Sequence, residues 1–153
     1  MNNYRLNSVI KANNNSKTQS NMTNFTTDVN SRTGVLTIRM RGFFLPDQFN
    51  EHLETTLRDV QGSKPKTVLL DARFIESGWM SSNPWIVSWY LPKIKLLKVE
   101  NFGIIIEDNC DPFTRFSIIN LENLLESEPS LKITLFDSPE EAAIWQRNVS
   151  KVA

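Results

Sequence analysis

Residues 67–82 read TVLLDARFIESGWMSS, and this stretch predicts the centre of the fold. Its first part, residues 67–70, is short, branched and without polar alternation, which is typical of a strand buried on both faces. We place the end of that strand at Asp71 and a loop over residues 72–82. Because ligands gather beyond the carboxyl ends of such strands, the loop is the first candidate for a functional site.

The segments before this stretch predict a hairpin and a helix. Residues 24–29 and 35–41 flank a turn at Gly34 and form the hairpin. On its second strand three apolar side chains share one face: Leu36, Ile38 and Met40. A helix opens at Pro46, and Gly62 fits just past its end. The apolar face of that helix recurs at helical spacing through Phe49, Leu53, Thr56 or Leu57, and Val60.

The segments after this stretch continue the alternation of helix and strand. Asn83, as a cap, and Pro84 open an aromatic helix, which Pro92 is expected to kink or split. Residues 101–107 predict a second buried strand and residues 131–136 a last one. Asp111 caps a third helix, and residues 138–141 form a capping box for a fourth. The third helix has four candidate core residues: Phe113, Phe116, Leu121 and Leu124.

The element order is therefore β-β-α-β-α-β-α-β-α. It predicts an α/β domain with a mostly parallel mixed sheet of five strands, an N-terminal antiparallel hairpin and about four helices. Residues 1–22 are Asn-rich, contain three basic residues and no acidic one, and predict a disordered tail before a single domain over residues 23–150.

Composition narrows the classes of function. Seventeen basic residues balance 17 acidic ones, which argues against a nucleic-acid partner. The single cysteine, Cys110, excludes an intramolecular disulfide and a cysteine zinc site. No apolar run reaches about 18 residues, so we expect no transmembrane segment. The first residues lack the apolar core of a signal peptide, and we expect a cytoplasmic protein.

Three stretches in this order and spacing resemble the STAS fold, specifically the small bacterial SpoIIAA-like proteins also described as STAS/SEC14-type domains. They are TGVLTI (residues 33–38), LLDAR (69–73) with Trp79 downstream, and ITLFDSPEEAAIW (133–145). The likeness covers residues 23–147. It implies a regulatory or binding module with no catalytic residues, no cofactor and no metal.

The resemblance implies two kinds of role. Anti-sigma-factor antagonists carry a serine at the start of the helix after the central strand, and its phosphorylation switches partner binding. Their loop reads Asp-x-Ser and then Asp-Ser-Ser-Gly. Here Asp71 matches the first acid, Arg73 replaces the first serine, and residues 76–78 (ESG) match the second half incompletely. Other relatives are thought to hold hydrophobic or lipid-like ligands between helices and sheet, and the aromatic loop is nearer to that group.

The predicted site is the aromatic loop and helix, which would hold an apolar small molecule or a protein partner. It comprises Phe74, Trp79, Met80, Trp85, Trp89 and Tyr90. The competing interpretation is plain core packing, because aromatic side chains dominate ordinary cores. A cavity beneath Trp79 and Trp85 would distinguish the two.

Two alternative hypotheses and one assembly remain open. Ser77, Ser81 and Ser82 precede the aromatic helix, where a phosphate would meet free amides and the positive end of the helix dipole. The acids at strand ends, Asp71, Glu107, Asp108 and Asp137, could converge on a metal ion, although spacer and cap roles explain them too. His52 is expected to be a surface residue and Cys110 a structural one. The edge of the hairpin offers a surface for a homodimer.

Overall fold

The computed structural model describes residues 23–152, so the predicted tail over residues 1–22 lies outside the described residues. The elements are β1 (Asn24–Asn30), β2 (Val35–Gly42), α1 (Pro46–Ser63), β3 (Thr67–Ile75), α2 (Asn83–Trp85, Ile86–Tyr90 and Leu91–Leu96), β4 (Asn101–Ile105), α3 (Pro112–Leu125), β5 (Thr134–Phe136) and α4 (Pro139–Val152). A 3₁₀ turn, Met80–Ser82, leads into α2. This order confirms the predicted α/β pattern.

The five strands form one mixed sheet in the order β1-β2-β3-β4-β5. β1 pairs antiparallel with β2, and the other three pairings are parallel. Val68 lies beside Phe102 and Leu70 beside Ile104, so the two predicted interior strands are neighbours that run in the same direction. That prediction is confirmed. β1 lies at one edge of the sheet, with Asn24–Asn30 as the edge strand.

The alternation along β2 and β3 divides the core between the two faces of the sheet. Leu36, Ile38 and Met40 are buried on the face that α1, α2 and α3 cover, as their spacing predicted. Val35 and Leu69 point to the other face, where Ala142 of α4 packs on them. Apolar side chains on both sides of β3 therefore keep the central strand away from water.

Several element boundaries differ from the predicted ones. β4 covers Asn101–Ile105 and ends two residues before the predicted end at Glu107. β3 does not end at Asp71 but continues to Ile75, because β2 is long enough to pair with it through Gly42. α1 does not end before Gly62 but runs to Ser63, and Lys64 closes it with a left-handed φ of 53°. The last strand is shorter than predicted and covers Thr134–Phe136 alone.

Pro92 changes the hydrogen bonding of α2, as its missing N–H requires. The segment Ile86–Tyr90 forms a π-helical turn, in which the Leu91 amide donates to the Ile86 carbonyl five residues earlier. The α-helical piece Leu91–Leu96 begins next to the proline. The predicted split of the aromatic helix at Pro92 therefore takes the form of a wide turn just before the proline.

Candidate functional site

The loop between β3 and α2 is built around a glycine that no other residue can replace without strain. Gly78 has a left-handed φ of +64°. A Cβ atom at this position would lie only 2.4 Å from the Phe113 carbonyl oxygen and 2.7 Å from Ser117 Oγ. The first turn of α3 therefore packs directly against the backbone of the loop.

Two buried hydroxyl groups on α3 hold the loop in place. Ser117 Oγ accepts a hydrogen bond from the Trp79 amide at 2.6 Å and donates one to the Phe113 carbonyl at 2.7 Å. Thr114 Oγ1 donates to the Ile75 carbonyl at 2.8 Å. Both side chains are fully buried. They fix the end of β3 and the start of the loop against one face of α3, and the sequence analysis missed them.

Asn83 joins the same contact instead of capping α2, so that prediction is wrong. Its backbone already has helical φ and ψ angles of −59° and −41°, which excludes the cap position. The buried Nδ2 group donates to the Ser117 carbonyl at 2.8 Å and to Asn120 Oδ1 at 2.9 Å. The loop and the start of α2 are therefore both tied to α3 through its polar face.

The two most enclosed members of the predicted aromatic site are core residues. Trp79 is 4% exposed and stacks on Phe49, with ring centroids 5.4 Å apart and planes 7° from parallel. Tyr90 is fully buried, and its hydroxyl lies 2.7 Å from Thr56 Oγ1. Because Thr56 donates its own proton to the Leu53 carbonyl, the Tyr90 hydroxyl is the donor to Thr56. Burial raises the pKa of Tyr90 above its ordinary value, because the charged phenolate would be out of contact with water.

Trp85 and Trp89 are half-buried and stack on each other, with ring centroids 5.3 Å apart. Trp85 also contacts the Tyr90 ring at 5.7 Å. Phe49 lies against Trp79, and Tyr90 lies against Trp85. Aromatic side chains therefore occupy the space beside Trp79 and beside Trp85.

The other two members of the predicted site are exposed, but in different places. Phe74, on β3, contacts two guanidinium groups: Arg41 at 4.3 Å and Arg73 at 4.8 Å from the ring centroid. Met80 is 45% exposed and lines a cavity of about 250 Å³ that Trp79, Phe43 and Leu45 also line. The structure therefore does not bring the six predicted residues into one pocket.

A set of exposed apolar side chains lies on the loop, on the segment before α1 that lines the same cavity, and on α3, whose Phe113 backbone lies beside Gly78. We call it the apolar edge patch, and it comprises Phe43, Leu45, Met80, Phe113 and Phe116. Phe113 and Phe116 were predicted to be core residues of α3, and they are 63% and 54% exposed. The prediction is wrong because Thr114, Ser117, Ile118, Leu121 and Leu125 form the buried face of that helix. The sequence also contains Thr114 and Ser117, two hydroxyl residues three positions apart, and this pair marks the buried face.

The three candidate serines have different environments. Ser77 Oγ accepts from the Phe44 amide at 3.1 Å and donates to the Gly78 carbonyl at 3.0 Å, so it is part of the loop structure. Ser82 is buried, and its Oγ has no hydrogen-bond partner among residues 23–152. Ser81 is exposed and lines the same cavity as Met80.

The acidic residues do not converge on a metal site. Asp71 lies inside β3 and binds Arg73 through both carboxylate oxygens, at 2.9 and 2.8 Å. Arg73 also approaches Glu107 at 3.7 Å. The hydrogen bond to Asp71 raises the pKa of Arg73, against the opposing effect of partial burial. Among residues 23–152, no group of three or more His, Cys, Asp or Glu side chains could hold a metal ion.

His52 lies on α1 and Cys110 just before α3, so neither residue is part of the loop. The His52 ring stacks on Phe25 at 4.5 Å and meets Phe44 edge-on at 5.6 Å, so it closes the space between β1 and α1. Cys110 is a half-buried free thiol just before α3. Within the described residues, no helix combines the length and the apolar character that crossing a bilayer requires.

Comparison with known proteins shows that this chain is similar to a solved structure in its fold. No family model and no curated protein matches the sequence. The structure is similar to the crystal structure of an anti-sigma factor antagonist from Mycobacterium paratuberculosis, with a TM-score of 0.57 and 19% sequence identity. The match covers 83% of this chain and 96% of that chain. The chain therefore has the STAS fold that its sequence resembled.

Proposed function

We propose that this STAS-fold chain is a non-catalytic, cytoplasmic regulatory module that binds a protein partner of the anti-sigma-factor class through the apolar edge patch. The observation that supports this most directly is the exposure of Phe43, Met80, Phe113 and Phe116 around one loop. Clustered, solvent-exposed aromatic side chains are typical of protein interfaces, where aromatic residues and methionine are enriched.

A protein partner fits this edge better than a small apolar ligand does. A ligand between helix and sheet needs an enclosed apolar pocket, and Phe49 and Tyr90 already occupy the space beside Trp79 and Trp85. The cavity beside Trp79 and Phe49, which Met80 also lines, has a volume of about 250 Å³. That is smaller than the pockets of about 300–1,000 Å³ that hold small molecules. A side chain of a partner protein could enter it while the rest of the patch packs against the partner surface.

The rigidity of the loop also favours binding. Ser117 and Thr114 fix the loop backbone, and Asn83 fixes the helix that follows. A surface whose shape is set before the partner arrives loses little conformational entropy on binding. We therefore expect the loop to bind without rearrangement.

A capture experiment with a matched control tests this proposal. The full-length chain, the double variant Phe113→Ser/Phe116→Ser and the control Leu96→Ser would serve as baits in lysate of the native cells. Leu96 is 75% exposed and outside the patch. Mass spectrometry would identify retained proteins, and calorimetry on the purified pair would measure affinity.

We expect the double variant to bind the purified partner at least about tenfold more weakly, because truncating central aromatic residues costs about 2 kcal/mol or more. The control is expected to bind like the unmodified chain. Equal affinity of all three proteins would contradict the proposal. Size-exclusion chromatography of the same samples tests the homodimer that the free edge of β1 suggests.

A second candidate function is a switch by phosphorylation, and the exposure of Ser81 beside Met80 favours it. A phosphate there would add a charge of about −2 to an apolar interface and weaken it. We expect Ser81→Asp to abolish partner binding and Ser81→Ala to retain it, with the exposed Ser88→Asp as the control. Binding of the Ser81→Asp variant at full affinity would contradict the switch, and so would an unmodified loop in phosphopeptide maps from native cells.

A further inference from the structure

A second concave site lies at the other end of the parallel strands, at their amino ends, where β4 begins. It is a cavity of about 440 Å³ between the end of α2, the start of β4 and the segment that leads to β5. Its floor is apolar and consists of Leu91, Ile94, Val99, Phe102 and Leu131. A volume of this size falls in the range of small-molecule sites. We call it the lysine cavity because of its rim.

Three lysines surround the floor: Lys95, Lys98 and Lys132. Lys95 Nζ donates to the Ser130 carbonyl at 2.8 Å, which places its ammonium group across the cavity. Glu100 is the one acidic residue of the lining, and it approaches Lys66 at 3.9 Å on the side of a neighbouring cavity. The rim therefore has an excess of positive charge above an apolar surface, in a chain whose formal net charge is zero.

The backbone of Lys98 closes the last turn of α2 at the rim of the cavity. It has a left-handed φ of 76°, a conformation that favours glycine. The Val99 amide donates to the Ile94 carbonyl at 3.1 Å and the Lys98 amide to the Lys95 carbonyl at 3.0 Å, which is the Schellman ending of a helix. Glycine usually occupies this position, and here a lysine of the cavity rim occupies it in spite of the strain.

We propose that the lysine cavity binds the carboxylate of a long-chain fatty acid, with the acyl chain on the apolar floor and the carboxylate between the rim lysines. An apolar floor beneath ammonium groups is complementary to a molecule with an apolar chain and one anionic head. A neutral lipid would leave the ammonium groups without a counter-charge, and a small anion such as phosphate would leave the floor uncovered. This proposal does not depend on the proposed function of the apolar edge patch.

Titration of the full chain with palmitate, followed by amide NMR and calorimetry, tests the site. We expect saturable binding with shifts at Lys98, Phe102 and Leu131, and at least tenfold weaker binding of hexadecanol, which has the same chain but no charge. No shift in these residues at saturation would overturn the proposal. Equal affinity for palmitate and hexadecanol would overturn the role of the lysines.

A pair of glycine variants separates the side chain of Lys98 from its backbone. Lys64 also has a left-handed φ, 53°, but lines the neighbouring cavity. Both Lys98→Gly and Lys64→Gly relieve backbone strain, so both are expected to fold at least as stably as the unmodified chain. We expect Lys98→Gly to bind palmitate about fivefold more weakly and Lys64→Gly to bind it normally, because a single ion pair is worth about 1 kcal/mol. An equal loss of palmitate affinity in both variants, or no loss in either, would contradict the assignment of Lys98 to the site.

Vesicles distinguish a free fatty acid from a membrane surface. Sedimentation of the chain with phosphatidylglycerol vesicles, in the absence of free fatty acid, is expected to leave it in solution. Binding to these vesicles without binding of monomeric palmitate would overturn the proposal, because the lysines would then recognise a charged bilayer instead of a single molecule.

Discussion

The carboxyl ends and the amino ends of the parallel strands form two boundaries of the sheet, here called the carboxyl edge and the amino edge. These two boundaries are built in opposite ways. At the carboxyl edge, the polar groups of Asn83, Thr114 and Ser117 lie inside and aromatic side chains such as Phe113 lie outside. At the amino edge, apolar side chains form the floor of a cavity and lysines such as Lys98 form its rim. The difference indicates two kinds of recognition on one scaffold: a rigid apolar surface at one edge, and a charged opening above an apolar space at the other.

The largest expected effect concerns the glycine at the carboxyl edge. Gly78→Ala should lower the free energy of unfolding by about 3 kcal/mol, since a Cβ there clashes with the Phe113 backbone and the left-handed φ is strained. Chemical denaturation measures the change. Gly62→Ala is the matched control, because its Cβ would meet no atom within 4 Å and its helical position should gain up to about 1 kcal/mol. Similar stability of the two variants would show that the loop is not held as described.

The buried hydroxyl group of Ser117 is expected to have the next largest effect. Ser117→Ala leaves the buried Trp79 amide without its acceptor and should cost about 2 kcal/mol. The exposed Ser127 lies in the turn just after α3, and its hydroxyl donates to the Leu124 carbonyl, so Ser127→Ala provides the control variant. We expect the control to lie within about 0.5 kcal/mol of the unmodified chain. Hydrogen exchange at the Trp79 amide should also accelerate in Ser117→Ala, and unchanged exchange would contradict the clamp.

Tyr90 gives the protein a dependence on alkaline pH. Because burial raises its pKa above the value of about 10 that tyrosine has when unfolded, its contribution is complete below about pH 10 and is lost as the pH rises further. The free energy of unfolding should then fall by about 1.4 kcal/mol per pH unit from this group. Tyr90→Phe should cost about 1 kcal/mol at neutral pH and remove that part of the alkaline decline. Urea unfolding of both proteins on either side of about pH 10 checks this, and parallel declines would count against it.

The smallest expected effect is a change in stability at the amino edge, where Lys98 has a left-handed backbone. Lys98→Gly should raise the free energy of unfolding by about 1 kcal/mol, because glycine adopts a φ of 76° without strain. Lys95→Gly, in the helix just before it, should lower stability by a similar amount. Denaturation of the two variants side by side measures both changes, and a loss of stability in Lys98→Gly would mean that its side chain supports the fold.

The fold could be predicted from the sequence because its signals are local and repeated. The unbroken apolar runs around Val68 and Ile104 and the alternation of Leu36, Ile38 and Met40 predict strands, their burial and their neighbours. The end of β3 could not be predicted in this way. Asp71 is a typical strand-ending residue, and only its pairing with Arg73 and the length of β2 make it an interior one.

The candidate site was harder to predict because it depends on contacts between distant segments. Trp79 and Tyr90 look like ligand residues in the sequence, and their neighbours Phe49 and Thr56 on α1 make them core residues. Phe113 looks like a core residue, but the phase of α3 is set by the hydroxyl groups that hold the loop. The burial of Trp79 and Tyr90 and the exposure of Phe113 therefore do not follow from periodicity alone. The lysine cavity likewise combines segments more than 30 residues apart, such as Lys95 and Ser130.

The wide turn Ile86–Tyr90 sets the rotational phase of the aromatic helix. Each residue of an α-helix advances the chain by about 100° around its axis, since there are 3.6 residues per turn. Deleting one residue from this turn would restore ordinary helical bonding, but it would swing Asn83 by that angle away from Ser117 while Ile94 kept its place in the core. Homologous chains that lack the extra residue would therefore need a different partner for the start of this helix.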